Sequence, residues 1–236
     1  MIQSTESFDW FKFNNTMSDD FDFVVENMNV AVLPERKVQR FSVLGRDGDL
    51  TKSEDTYSPY LITIKGHVPI DAPFDLIYQW LSGQSDLIFS YNADKRYRAE
   101  ISGEVRPVFL AIYWQLEINM LVQPFAREAE PEVIEKTASG TLFNPGNRWS
   151  LPVITVYGAG TLTIGGYTLV IAATAGESFV VINSEAGTAY YESGGVKINR
   201  GNKVTGNFPV LDPGEIAVTV GTGITNVKIQ GNWRWF

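Results

Sequence analysis

The chain has 236 residues, 44% of them apolar and 19% charged, which is enough apolar material for packed cores and argues against wholesale disorder. It has no cysteine and a single histidine, His67; this excludes disulfides, thiolate metal sites and a cysteine nucleophile, and argues against a zinc cage. A net charge of −8 repels nucleic acid rather than holding it.

The first segment, MIQSTESFDWFKF, lacks a basic stretch followed by an apolar run, so no secretion signal is expected there. Within FDWFKFNN, Phe8, Trp10 or Phe11, and Phe13 nearly alternate with polar residues, predicting a strand that turns at Asn14 and Asn15. FDFVVENMNVAVLP predicts a second strand ending at Pro34. RFSVLGRDGDL follows, with Phe41, Val43 and Leu44 strand-like and Gly45 to Gly48 forming a turn. The polar LTKSEDTY reads as a hairpin tip or extended arm before the strand YLITIKG.

One helix is predicted in IDAPFDLIYQWLSGQ. Asp71 is placed as N-cap and Pro73 in the first turn; Phe74, Ile77, Tyr78 and Leu81 follow helical spacing, and Gly83 stops the run. DLIFSY and YRAEISGEV predict further strands. VFLAIYWQLEINMLVQPF reads as one long strand, because Trp114, Leu116, Ile118 and Met120 alternate with Gln115, Glu117 and Asn119.

The charged, proline-bearing REAEPEVIEK suits a domain connection, with the boundary near residues 126–140: an N-terminal domain 1–128 and a C-terminal domain 129–236. The charge divides there too. Residues 1–128 hold 12 basic and 19 acidic residues, giving −7, and residues 129–236 hold 7 and 8, giving −1. Beyond the connection no helical pattern occurs. PVITVYG, GTLTIGG, YTLVIA, SFVVINS, AYYESG, EIAVTVG and NVKIQG are short strands spaced by Gly, Asn and Pro, which predicts a β-sandwich. No apolar run reaches about 18 residues, so no membrane span is expected.

A search for chemistry yields no catalytic, cofactor-binding or metal residues, and no enzyme activity is expected. GAGTLTIGG lacks the third glycine and following helix of a dinucleotide loop and reads as two strands meeting at turns. The pairs Asp19 and Asp20, Asp47 and Asp49, and Glu54 and Asp55 lie in polar turns, where solvation accounts for them; a glycosidase would need two carboxyls facing across a cleft. RDGDL lacks the regular oxygen spacing and terminal Glu of a calcium loop. His67 reads as a loop or strand-end residue. In NWRWF, Trp233, Arg234 and Trp235 have the chemistry of a sugar or interface anchor, but a last strand packing Trp233 or Trp235 into the sandwich is the simpler reading.

Taken in order, FKFNN, VQRFSVLGRDGDL, YLITIKGHV, IYQWLSG, DLIFSYNADKRYRAEISGEV, MLVQPF, TLFNPGNRWSLPVITVYGAG, VVINSEAGTAYYESG, GNFPVLDPGEIAVTV and VKIQGNWRWF resemble the distal tail protein (Dit) family of long non-contractile-tailed phages. The resemblance covers nearly the whole chain. It implies a mostly β protein: an N-terminal β-sandwich-like ring domain with one short α-helix, then a galectin-like β-sandwich facing outward. It implies a homo-hexameric ring at the tail tip of the virion. That ring joins the tail tube protein to a tail-tip or tail-associated protein and to receptor-binding proteins, with DNA passing through an acidic channel without stable binding, and with no cofactor and no membrane. The region after GRDGDL is compact, so any clasping arm would be short. Two other readings remain: a carbohydrate-binding adhesin, which needs an exposed aromatic platform in the second half, and a glycan-cleaving tail enzyme.

Overall fold

The structure, a computed structural model, describes residues 10–28 and 32–236. It is mostly β with one α-helix among the described residues. The chain divides into two compact units. The first runs to Ala129 and takes in Phe236; the second spans Glu130 to Trp235. Phe8 and the part of the second predicted strand at residues 29–31 lie outside the described residues.

In the first unit, β1 (Phe11–Phe13) and β2 (Thr16–Met17) are joined through Asn14 and Asn15, at φ 48° and 61°. Asparagine tolerates this left-handed backbone, which a two-residue hairpin turn requires at both positions. Then come β3 (Val24–Met28), β4 (Arg36–Ser42), β5 (Asp49–Tyr57), β6 (Tyr60–Pro69), α1 (Phe74–Trp80), β7 (Gln84–Phe89), β8 (Lys95–Ile101), β9 (Val108–Phe109), β10 (Tyr113–Val122) and β11 (Arg127–Glu128). The main sheet has the order β2-β1-β7-β8-β10-β6-β3, with β9 added to β10 and β11 to β8. All its pairings are antiparallel, and β6 and β10 run side by side for ten residues, from Tyr60 opposite Val122 to Pro69 opposite Tyr113. The alternation predicted in β10 is present: Leu116, Ile118 and Met120 are buried, while Glu117 is exposed.

Three local expectations change. The long run VFLAIYWQ is not one strand; it folds back at Leu110–Ile112, where Ala111 has φ 60° and the Ile112 N–H donates to the Leu110 carbonyl at 2.6 Å. Its residues are apolar throughout, so no Gly or Asn marks the turn. LTKSEDTY is not a tip; it lies in β5, which pairs with β4 as a separate two-stranded sheet whose turn is at residues 43–48. With both hairpin faces largely in solvent, no alternation marks the strand. In α1, Asp71 does not cap: the N-cap position is Pro73, without a side-chain bond. The inward stripe is Ile77, Trp80 and Leu81, while Tyr78 faces solvent.

Trp80 explains that rotation. Its ring stacks on Phe11 (5.2 Å between centroids), meets Phe21 at 5.0 Å and Phe23 at 6.5 Å, and its Nε1–H donates to the Phe13 carbonyl at 2.8 Å. Seating the largest side chain, with its one donor satisfied, sets which face of the seven-residue helix meets the sheet.

The second unit is a two-layer sandwich. It contains β12 (Val133–Lys136), β13 (Gly140–Asn144), β14 (Val153–Gly158), β15 (Gly160–Ile164), β16 (Tyr167–Ile171), β17 (Phe179–Asn183), β18 (Thr188–Ser193), β19 (Val196–Asn199), β20 (Val204–Thr205), β21 (Gly214–Val220) and β22 (Ile224–Gln230). One sheet has the order β12-β22-β14-β17-β18-β19 and the other β13-β21-β15-β16-β20. Ile154, Val156 and Ile229 from the first meet Leu162, Leu169 and Val218 from the second in one apolar core, closed by Trp233. This is the alternating, helix-free packing that the short strands predicted.

Candidate interaction surface

The residues that chemistry would need are placed in structural roles. His67 sits within β6 rather than at its end or in a loop; its Nδ1 is 3.0 Å from Glu26 Oε1 and its ring 4.6 Å from Tyr113. Asp20 accepts the Met17 N–H at 3.0 Å, and Asp19 accepts the Ser18 hydroxyl at 3.3 Å, both in a short 3-10 turn. Asp55 faces Arg36 at 3.5 Å across the β4–β5 hairpin, and Asp47 and Asp49 are exposed at its turn. Among the described residues, no three His, Asp or Glu side chains converge as metal ligands.

The glycine-rich piece is a close crossing of backbones. Gly158 has φ +92°, and a Cβ there would stand 2.2 Å from the Gly223 carbonyl oxygen; at Gly160 it would stand 2.4 Å from the Thr222 oxygen. The space a phosphate would need is filled by the 221–223 turn, and the Ala159 N–H already donates to Gly223.

Of the C-terminal aromatics, Trp233 is buried and Trp235 half-buried. Trp233 closes the core, Trp235 packs against it, and the Arg234 guanidinium lies 4.8 Å from the centre of the Trp149 ring and 3.4 Å from Glu185. Trp233 and Arg234 are 3% and 8% exposed, so neither is offered to a ligand.

A more open cluster lies at the end of β14. Tyr157, Phe179 and Tyr191 contact in series at 5.5 and 5.0 Å, beside a cavity of about 110 Å³ lined by Gly158, Ala172, Thr174, Glu177 and Phe179. Arg200 Nε donates to both Glu177 oxygens, at 2.9 and 2.8 Å, and this bonding holds the Glu177 carboxyl below its ordinary range. The depressed folded-state pKa fixes the sign. The pair stabilises the fold above the unfolded carboxylate pKa of about 4.3, and that contribution is lost as pH falls through the lower folded value. The melting-temperature gap between wild type and Glu177→Gln should therefore narrow as pH drops from about 6 to about 3. A gap that widens on acidification would contradict the assignment.

The surface that stands out is apolar and belongs to the first unit. Among the described residues, five exposed large apolar side chains (Val133, Phe143, Val170, Val196 and Ile198) fall in the second unit and the other eighteen in the first. Nine of them fall in two places. At the end of β6 and the β9–β10 turn, Ile70, Phe109, Leu110 and Ile112 are exposed around Trp114. Its ring meets Phe109 at 4.8 Å and Phe74 at 5.5 Å, and its Nε1–H donates to the Ile70 carbonyl at 3.2 Å. On the β4–β5 hairpin, Val38, Phe41, Val43 and Leu50 are exposed and Leu44 is fully so. Sequence reading missed the first patch because VFLAI looked like strand interior. The compositional signal that could have found it is five consecutive apolar residues with no polar alternation.

No protein-family description matches the sequence, and no curated protein does. Solved structures do match. The Dit protein of phage SPP1, described as a paradigm of the hub adsorption apparatus in phages infecting Gram-positive bacteria, is 11% identical; the match covers 94% of this chain and 97% of that one, with a TM-score of 0.72. A chain in the phage p2 baseplate in its activated conformation is 6% identical over 94% of this chain and 96% of its own, with a TM-score of 0.54, in the strontium and the calcium structure alike. Across nearly its whole length, this chain has the fold of phage tail hub and baseplate proteins.

Proposed function

We propose that the chain is a distal tail protein of the Dit kind: a non-catalytic structural hub of the virion tail tip that assembles as a ring, with six copies the expected number. Its partners are other copies of itself, the tail tube protein, the tail-tip or tail-associated protein and receptor-binding proteins. The observation that carries this reading is the end-to-end fold likeness to SPP1 Dit, spanning both units rather than one sandwich alone. The concentration of exposed apolar surface on the first unit supports it, because contiguous apolar patches mark association sites and residues 1–128 are where the ring is expected. The adhesin reading is weakened by the burial of Trp233 and Arg234.

The test is light scattering and negative-stain imaging of the full chain. A ring with six times the 26.3 kDa protomer mass is expected. A protein that stays monomeric at tens of micromolar and is retained on polysaccharide columns would replace the hub with the adhesin.

A further inference from the structure

We propose that Asp47 and Gly48, in the turn between β4 and β5, form a site of spontaneous backbone modification at which Asp47 converts to isoaspartate. The chemistry is the chain's own and requires only water. The Gly48 backbone nitrogen attacks the Asp47 Cγ. An N–Cγ bond forms, and the carboxyl hydroxyl leaves as water with the amide proton, giving a cyclic imide. A water molecule then opens one of the imide's two carbonyl–nitrogen bonds. Opening at Cγ restores aspartate. Opening at the Asp47 main-chain carbonyl leaves the chain running through Cβ, with the carboxylate on Cα. One water is lost and one regained, and nothing is oxidised or reduced.

The sequence narrows the choice to this pair. A side chain on the following residue crowds the approach of that residue's amide nitrogen, so glycine is the successor that leaves the path open. Of every Asp and Asn in the chain, Asp47 is the one followed by glycine.

The local structure leaves the pair free to react. Both residues are exposed. The backbone bond of this turn runs from the Arg46 N–H to the Val43 carbonyl at 3.1 Å and leaves the Gly48 N–H out. Gly48 has φ +77°, with nothing within 4 Å of the place a Cβ would occupy, so the imide ring has room to form. The hairpin is a two-stranded sheet with no strand pairing to the main sheet. Such a ribbon is marginal in water, so its turn samples the geometry that closes the ring.

Asn183 shows the protected case. It is followed by Ser184, a small residue that hinders the same attack little. Here the Ser184 N–H donates to the Pro152 carbonyl at 3.0 Å, and Asn183 Oδ1 accepts the Ala186 N–H at 2.9 Å. Attacking nitrogen and attacked side chain are both engaged, and reaction would break both bonds. Conversion at Asp47 changes neither mass nor net charge. It does add a methylene to the main chain just before Asp49, whose pairing with Ser42 closes the hairpin. Turn length sets hairpin register, so that closing pair is the first to be lost.

The test is prolonged warm incubation of the purified full chain, followed by tryptic digestion. The peptide containing Asp47 should appear as two species of equal mass, the newly formed one accepting a methyl group from an isoaspartyl methyltransferase. Asp47→Glu keeps the charge and should abolish the second species, because its imide is a larger, slower-forming ring. Asp47→Asn should speed its formation, because a neutral amide is a better electrophile than an ionised carboxylate. Both substitutions are at an exposed turn and leave the core untouched. In the same digests Asn183 should stay intact from the folded chain and react in chain incubated in denaturant. A single Asp47 species after incubation, or methyl acceptance that survives Asp47→Glu, overturns the site. Conversion of Asp47 that begins only in denaturant overturns the folded turn as the reactive state.

Discussion

Trp80→Ala should cost the first unit about 3–5 kcal/mol for the lost ring and its cavity, and about 1 kcal/mol more for the Phe13 carbonyl left without its donor. Against a typical domain stability of about 5–15 kcal/mol, that is a large share. The loss follows from position: among the described residues, Trp80 is the aromatic side chain whose ring meets Phe11, Phe21 and Phe23 together, and it ties α1 to the end of β1. Trp80→Phe keeps most of the packing and removes the N–H, so it should fall between wild type and the alanine variant. The check is the denaturant midpoint followed by far-ultraviolet circular dichroism, since five other tryptophans confuse fluorescence. If the two units unfold independently, only the first transition moves. Equal midpoints for all three proteins would show that the aromatic cluster is not the core of this unit.

Gly158→Ala should damage the second unit comparably, by about 2–5 kcal/mol. Two costs add. A left-handed backbone costs a non-glycine residue about 1–2 kcal/mol. The new methyl would also stand 2.2 Å from a backbone oxygen of the 221–223 turn, so β14 or the turn must move, and overpacking against groups that cannot rotate away costs about 1–3 kcal/mol or more. Gly166→Ala separates the two. It has φ +84° but open space around the new methyl, so it should pay only the backbone cost. The difference between the two variants in thermal or urea unfolding measures the close approach directly, and identical losses would remove it.

What could be read from the sequence follows physical lines. Asn14–Asn15 was legible because few residues tolerate positive φ, and the core side of β10 because a sheet with one buried face writes its period into the chain. The face of α1 was not. Over seven residues the helical period fits more than one stripe, and the deciding contact, Trp80 on Phe11 and Phe13, lies 67 residues away in sequence. The β9–β10 turn and strand β5 were misread for opposite reasons, although β4 and the turn at Gly45–Gly48 were legible. The first is apolar where turns are usually polar, because its outer side is an exposed patch. The second is polar where strands usually alternate, because neither face is buried in the isolated chain. Both errors fall on exposed segments, where burial does not write its period into the sequence.

The order of strands in the second unit has a consequence for how the protein is born. β22 lies between β12 and β14, and β21 lies between β13 and β15, so each sheet is split until its late strand is inserted. Neither layer can close before Gly214–Gln230 has left the ribosome, whereas every strand of the first unit precedes Ala129. At about 5–20 residues per second, roughly a hundred residues of synthesis part the two events by about 5–20 s. During that interval the first unit is complete in its strands and carries its uncovered apolar ends, while the segment that follows is still an open chain. The first unit thus has that interval in which to fold before the second has any shape to present.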